Sequence, residues 1–163
     1  MRTRSLVLAA TAVTTALFTL TACSGGGDDA EKEDDGGTAG KAASAVSVKL
    51  ADSEYGRILV DQEGRTLYAF AKDKDGSSAC DVQCGQVWPA LTSASDPKPG
   101  SGTQKSLLAE TERTKGVSQV MYNKWPLYYY VGDAIAGDAN GQGIDDEWFV
   151  VTADGKLVKK QAG

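Results

Sequence analysis

Apolar and polar positions alternate most clearly in two stretches, Arg57 to Ala71 (RILVDQEGRTLYAFA) and Val117 to Val131 (VSQVMYNKWPLYYYV). Each has two apolar runs around a polar pair, Glu63-Gly64 in the first and Asn123-Lys124 in the second. Runs of this length with period-two alternation predict β-strands, and the polar pairs predict tight turns, so each stretch reads as a β-hairpin. The two are copies. Gly64 to Asp73 aligns without a gap on Lys124 to Asp133 at an offset of 60, which places Leu67, Tyr68, Phe70 and Asp73 on Leu127, Tyr128, Tyr130 and Asp133. Trp88 falls on Trp148 at the same offset, so the repeat units run about Arg57 to Leu91 and Val117 to Val151.

Counting outward from the two turns assigns side chains to faces. One face carries Ile58, Val60, Leu67 and Ala69 in the first unit, and Ser118, Val120, Leu127 and Tyr129 in the second. Its aliphatic character makes it the core, with Tyr129 filling the space opposite small Ser118. The other face is mixed. There Tyr68 and Phe70 stand beside Arg57, Leu59, Asp61 and Thr66, and Tyr128 and Tyr130 beside Gln119, Met121 and Pro126. The expectation is therefore a mostly buried Tyr129 and a Tyr128 that keeps an accessible hydroxyl. Tyr68, Phe70, Asp73, Tyr128, Tyr130 and Asp133 are the candidate binding residues, and Trp88 and Trp148 anchor each unit to the core. The fold predicted is all-β and mainly antiparallel, two pseudo-symmetric hairpin repeats in one compact sandwich or barrel-like domain. A last strand pair turns at Asp154-Gly155.

Upstream of this domain the pattern changes character. Arg2 and Arg4 precede an apolar run from Ser5 to Leu20, the layout of a signal peptide over residues 1–22. LTAC, Leu20 to Cys23, resembles the lipobox of bacterial lipoproteins, which implies cleavage before Cys23 and its lipidation. Ser24 to Ser44 holds six acids and no large apolar residue, so residues 23–45 read as a lipidated cysteine and a disordered acidic Gly-rich tether. The folded part is then 46–163. Removal of residues 1–22 leaves 15 basic against 22 acidic side chains, a balance that argues against nucleic acid. The partners expected are the membrane, through the lipid, and an unidentified envelope partner or small ligand, with the chain a monomer.

The chain contains no histidine. That removes Ser-His-Asp and Cys-His catalysis, the usual zinc sites and His-ligated haem or type 1 copper. No catalytic residues, no metal and no enzyme activity are expected. Cys80 and Cys84, in CDVQC, form a disulfide by default in a secreted protein, and the alternative is a copper-holding dithiol with Met121 as a third ligand. Asp73 and Asp133 end their strands before irregular segments. Asx turns explain them, with Ca²⁺ the alternative because the following loops are rich in oxygen ligands. Function accordingly reads as non-enzymatic binding or scaffolding by a lipid-anchored envelope protein. Alternatives are a redox or metal-handling protein using the tyrosines and tryptophans as electron relays, and a carboxylate-dependent envelope hydrolase.

LYAFAKD and LYYYVGD, with CDVQCGQVWPAL and MYNKWPLYYYVGDAIAGDANGQG around them, resemble a family of predicted bacterial secreted lipoproteins. That family is built of tandem repeats carrying Tyr-x-(Phe/Trp/Tyr)-x-x-Asp, and the resemblance covers about Tyr55 to Lys156. Lys124 stands where the family's hairpin glycine follows the asparagine. The family has no established activity, so the resemblance implies address and architecture and supplies no substrate.

Overall fold

The computed structural model describes residues 45–114 and 117–160. The signal peptide, Cys23 and residues 24–44 of the tether lie outside the described residues. The domain is all-β, several small antiparallel sheets packed as a sandwich without closing into a barrel. Among the described residues helix is confined to one turn, α1 (Cys84–Val87), and two 3₁₀ turns.

The repeat reaches further upstream than its motif. In the first unit β1 (Ser47–Ser53) pairs antiparallel with β2 (Gly56–Asp61), from Val48 opposite Asp61 to Ser53 opposite Gly56. β3 (Tyr68–Phe70) follows, then α1, β4 (Thr92–Ser93) and β5 (Lys98–Pro99). In the second unit β6 (Leu108–Thr114) pairs with β7 (Val117–Tyr122), and β8 (Trp125–Pro126) and β9 (Trp148–Val150) complete the set. β6 is polar or charged throughout Glu110–Thr114, and β1 carries Lys49 and Asp52 among its apolar residues, so neither shows the apolar runs of the motif hairpins.

The hairpin expected at Asn123-Lys124 is present. Both residues have positive φ (47° and 68°), as a two-residue type I′ turn demands, and Tyr122 faces Trp125 across it. The first hairpin is corrected by one residue. Asp61 accepts the N–H groups of Glu63 and Arg65 (both 2.9 Å), and with Gly64 at φ +87° this builds a longer loop, so that Val60 bridges Thr66. One extra loop residue moves the strand to the opposite face. Leu59, not Val60, therefore lies with Leu67 and Ala69, and Ile58 and Val60 face the other way.

The larger correction concerns the mixed face, which is a second core. Leu59, Leu67 and Ala69 pack with Val48, Leu50, Val120, Tyr122 and Leu127 on one side. Ile58, Val60, Tyr68 and Phe70 pack with Trp88, Tyr128, Trp148 and Val150 on the other. The loops that follow each motif aspartate carry the tryptophans back over this face and seal it. Burial of the tyrosines is therefore the reverse of the expectation: Tyr128 is 0% exposed and Tyr129 is half-buried.

Candidate functional site

The two motifs meet at a seam. Tyr68 and Tyr128 exchange both main-chain hydrogen bonds, N–H to C=O, at 2.9 Å each. Tyr68 also pairs with Val150, and Tyr128 with Ala90, its counterpart at the repeat offset. The local two-fold axis thus passes between the tyrosines. Trp88 and Trp148 stack across it with centroids 3.8 Å apart and planes 2° from parallel. Phe70 stacks on Trp148 at 4.3 Å, and Tyr130 lies on Trp88 at 4.5 Å.

The motif's polar ends cross over between the units. Tyr68 donates its hydroxyl to Asp133 Oδ2 (2.7 Å), and Tyr128 donates to Asp73 Oδ2 (2.8 Å). The second oxygen of each carboxylate holds its own loop: Asp73 accepts the Ala79 N–H at 2.7 Å and Asp133 the Asn140 N–H at 2.9 Å. Neither bond is the Asx turn expected from sequence, because the amides held lie six and seven residues beyond the aspartates and not two; each carboxylate pins a wider loop. Burial pushes both carboxyls above their ordinary range, against the hydrogen bonds they accept. Burial, reinforced by the adjacent carboxylates, likewise pushes the Tyr68 and Tyr128 hydroxyls well above the usual tyrosine range.

Of the six candidate binding residues, Tyr68, Phe70, Asp73 and Tyr128 are therefore interior, and Tyr130 and Asp133 reach the surface. Cys80 and Cys84 form a disulfide, with Cα atoms 5.3 Å apart. Both thiols that the copper alternative would need are held in it. For calcium, which takes six to eight oxygens, the described residues contain no group of three or more acids placed around one point.

At the surface end of the seam lies a concavity of ≈ 220 Å³. Arg65, Pro89, Tyr129, Tyr130, Val131 and Asp133 line it. Sequence reasoning missed its polar wall. Asp61, fully buried, accepts from Arg65 Nε (2.8 Å) and from the Tyr129 hydroxyl (3.0 Å), while the Arg65 guanidinium lies 4.2 Å over the Tyr129 ring. Burial raises the Tyr129 hydroxyl, and the charge of Asp61 adds to it. The signal was in the chain: an aspartate two residues ahead of Glu63-Gly64 is an Asx-turn former. Val131, 60% exposed, forms the open lip and donates its N–H to Val87 O.

A family described as a secreted repeat of unknown function matches residues 49–92 and 110–152. No curated protein and no solved structure matches the chain.

Proposed function

The chain belongs to that family of secreted repeats of unknown function, and from this premise we propose that it is a lipid-anchored, non-enzymatic binding protein of the cell envelope. Cys23 carries the lipid, the acidic tether holds the domain off the membrane, and the concavity at the end of the seam receives a partner side chain or small ligand. The observation that carries the reading is the lining of that concavity. Pro89, Tyr129, Tyr130 and Val131 supply apolar surface, and Arg65 and Asp133 supply charge at its rim. Its size suits one side chain, the kind of pocket that accepts an anchor residue at an interface. The anchor is tested by mass spectrometry of the amino-terminal peptide and fractionation of Cys23→Ala; unmodified Cys23 in membrane-bound protein would contradict it. The pocket is tested by Tyr130→Ala and Val131→Asp in the lipoprotein in its own envelope, with cross-linking at Ile135, 70% exposed and two residues beyond the lining Asp133, as the readout. Both should lose the cross-linked partner and keep the fold.

A second reading is electron transfer. It is supported by the unbroken ring sequence Tyr130, Trp88, Trp148, Phe70, in which no neighbouring centroids are more than 4.5 Å apart. Each buried tyrosine beside it has a carboxylate ready to take its proton. Laser oxidation of the protein by a surface-bound ruthenium complex should then give a tryptophan radical whose decay slows in Asp133→Asn.

A further inference from the structure

The two units end in sheet edges that are equivalent by the repeat and differently covered. In unit one the outer edge of β1 is occupied by the chain's own connector. β5 runs parallel to it, with Lys98 N–H on Val46 O (2.8 Å), Gly100 N–H on Val48 O (2.7 Å), and Leu50 N–H on Ser101 O (2.9 Å). Leu50 faces Leu59 and Glu110 faces Val120, so β6 is the counterpart of β1, with Leu108 for Val48 and Glu110 for Leu50. Among the described residues β6 has a strand on one side only.

Its outer groups are open. Val120 uses its N–H on Leu91 O (2.8 Å) and its C=O on the Leu127 N–H (2.9 Å), so Glu110 opposite it sits at a non-bonded position and turns its main chain outward. By alternation the Leu108 C=O and the main chain of Glu112 point the same way. No side chain from Leu108 to Arg113 is buried. Two clefts border this edge in succession, one of ≈ 190 Å³ at Leu108–Glu110 and one of ≈ 330 Å³ between Thr111–Arg113 and the disulfide loop. In the first, Glu110 Oε1 is sealed from solvent and has no hydrogen-bond partner among the described residues.

We propose that the β6 edge is a docking site for an extended segment of a partner protein, which adds as a parallel strand as Lys98–Ser101 adds to β1. The occupant's chemistry follows from the charges and from the connector. Asp81, Asp96, Glu110 and Glu112 outnumber Lys105 and Arg113 around the two clefts, so the segment is basic. The same acids disfavour the chain's own acidic residues 24–44, and a second copy would set Glu110 and Glu112 against like charges. The connector also shows which backbones fit. Pro97 and Pro99 fall where no N–H is needed, and Gly100 where a Cβ would come within 2.6 Å of Lys49 Cβ and 3.0 Å of Val48 O. A Pro-Lys-Pro-Gly-like segment meets all of these conditions.

The test uses the ¹⁵N-labelled full-length lipoprotein in detergent micelles and a synthetic peptide of residues 95–103 carrying Asp96→Lys, which makes the otherwise neutral sequence basic. The peptide should move the amide resonances of Glu110 and Glu112, and the same peptide N-methylated at the positions of Lys98 and Gly100 should move neither. Glu110→Pro should abolish binding. Glu110→Lys, which keeps the backbone donor, should weaken it at least about tenfold, the scale of losing a charge pair. Tyr130→Ala should bind as the wild type does, which separates this site from the seam concavity. Absence of shifts along β6, equal shifts from the N-methylated peptide, or dimerisation through β6 would each overturn the proposal.

Discussion

The two repeat units solve one problem, closing a loop over a buried Tyr-Asp pair, with different chemistry. In unit one the loop after Asp73 is clipped by Cys80–Cys84 and held by Arg113, whose guanidinium donates to Cys80 O at 2.7 Å. In unit two Asn140 and Ile144 stand at the cysteine positions, and the loop is held by Asn140, which donates its N–H to Asp133 and its side chain to Gly132 O. The shared parts are the tyrosine, the aspartate and the tryptophan, and these form the seam. The parts that differ, the clip, the polar wall of Asp61 and Arg65, and the covered or open edge, lie outside it. A duplicated scaffold kept its joint and changed its periphery.

The largest effect expected is at the joint. Tyr128→Ala empties a fully enclosed site beside Trp148 and should destabilise the domain by about 4 kcal/mol in denaturant unfolding, within the range for large aromatic truncations. Tyr129→Ala should cost clearly less, because its ring is half exposed; an equal cost would erase the distinction between seam and periphery. Asp61→Ala comes next. It strips the first loop of its two amide acceptor bonds and frees the Arg65 and Tyr129 contacts, at about 2–3 kcal/mol after discounting the exposed guanidinium. Unit two has no equivalent of that loop, so hydrogen exchange should quicken at residues 61–67 and stay unchanged at 121–127.

Cys80→Ser with Cys84→Ser should cost about 2 kcal/mol, since the ring closed is short, and should leave the domain folded. Unfolding at room temperature would mean that the two loops are not interchangeable. The smallest effects concern ionisation. The Tyr68, Tyr128 and Tyr129 hydroxyls are raised, so the stability they contribute is fully present below the ordinary tyrosine pKa of 10.0 and is lost as pH rises beyond it. Tyrosinate absorbance from these three should appear only together with loss of circular dichroism. Asp73 and Asp133, also raised, favour the folded state when protonated and so should not drive acid unfolding.

Much of this joint was legible in the chain. The offset of 60 named Tyr68/Tyr128, Asp73/Asp133 and Trp88/Trp148, and those are the residues that meet. The partners were not legible, because a repeat alignment pairs equivalent positions and says nothing about bonds that cross from one unit to the other. Face assignment failed for a local reason at Asp61, whose side chain lengthened a loop by one residue. It failed for a global one at Tyr128, where period-two alternation implies one solvent face and the Trp88 and Trp148 loops covered both. The concavity went unseen because Arg65 and Tyr129 are 64 residues apart in the chain, and only the fold brings the Arg65 guanidinium to donate to the Tyr129 hydroxyl (3.1 Å).

The central claim is that the units are locked by tyrosine-aspartate bonds that cross between them. Double-mutant cycles on unfolding free energy test it, pairing Tyr→Phe with Asp→Asn in all four combinations. Tyr68 with Asp133, and Tyr128 with Asp73, should each show a coupling of about 1 kcal/mol, and Tyr68 with Asp73, and Tyr128 with Asp133, should show essentially none. Coupling within a repeat and none across would contradict the account.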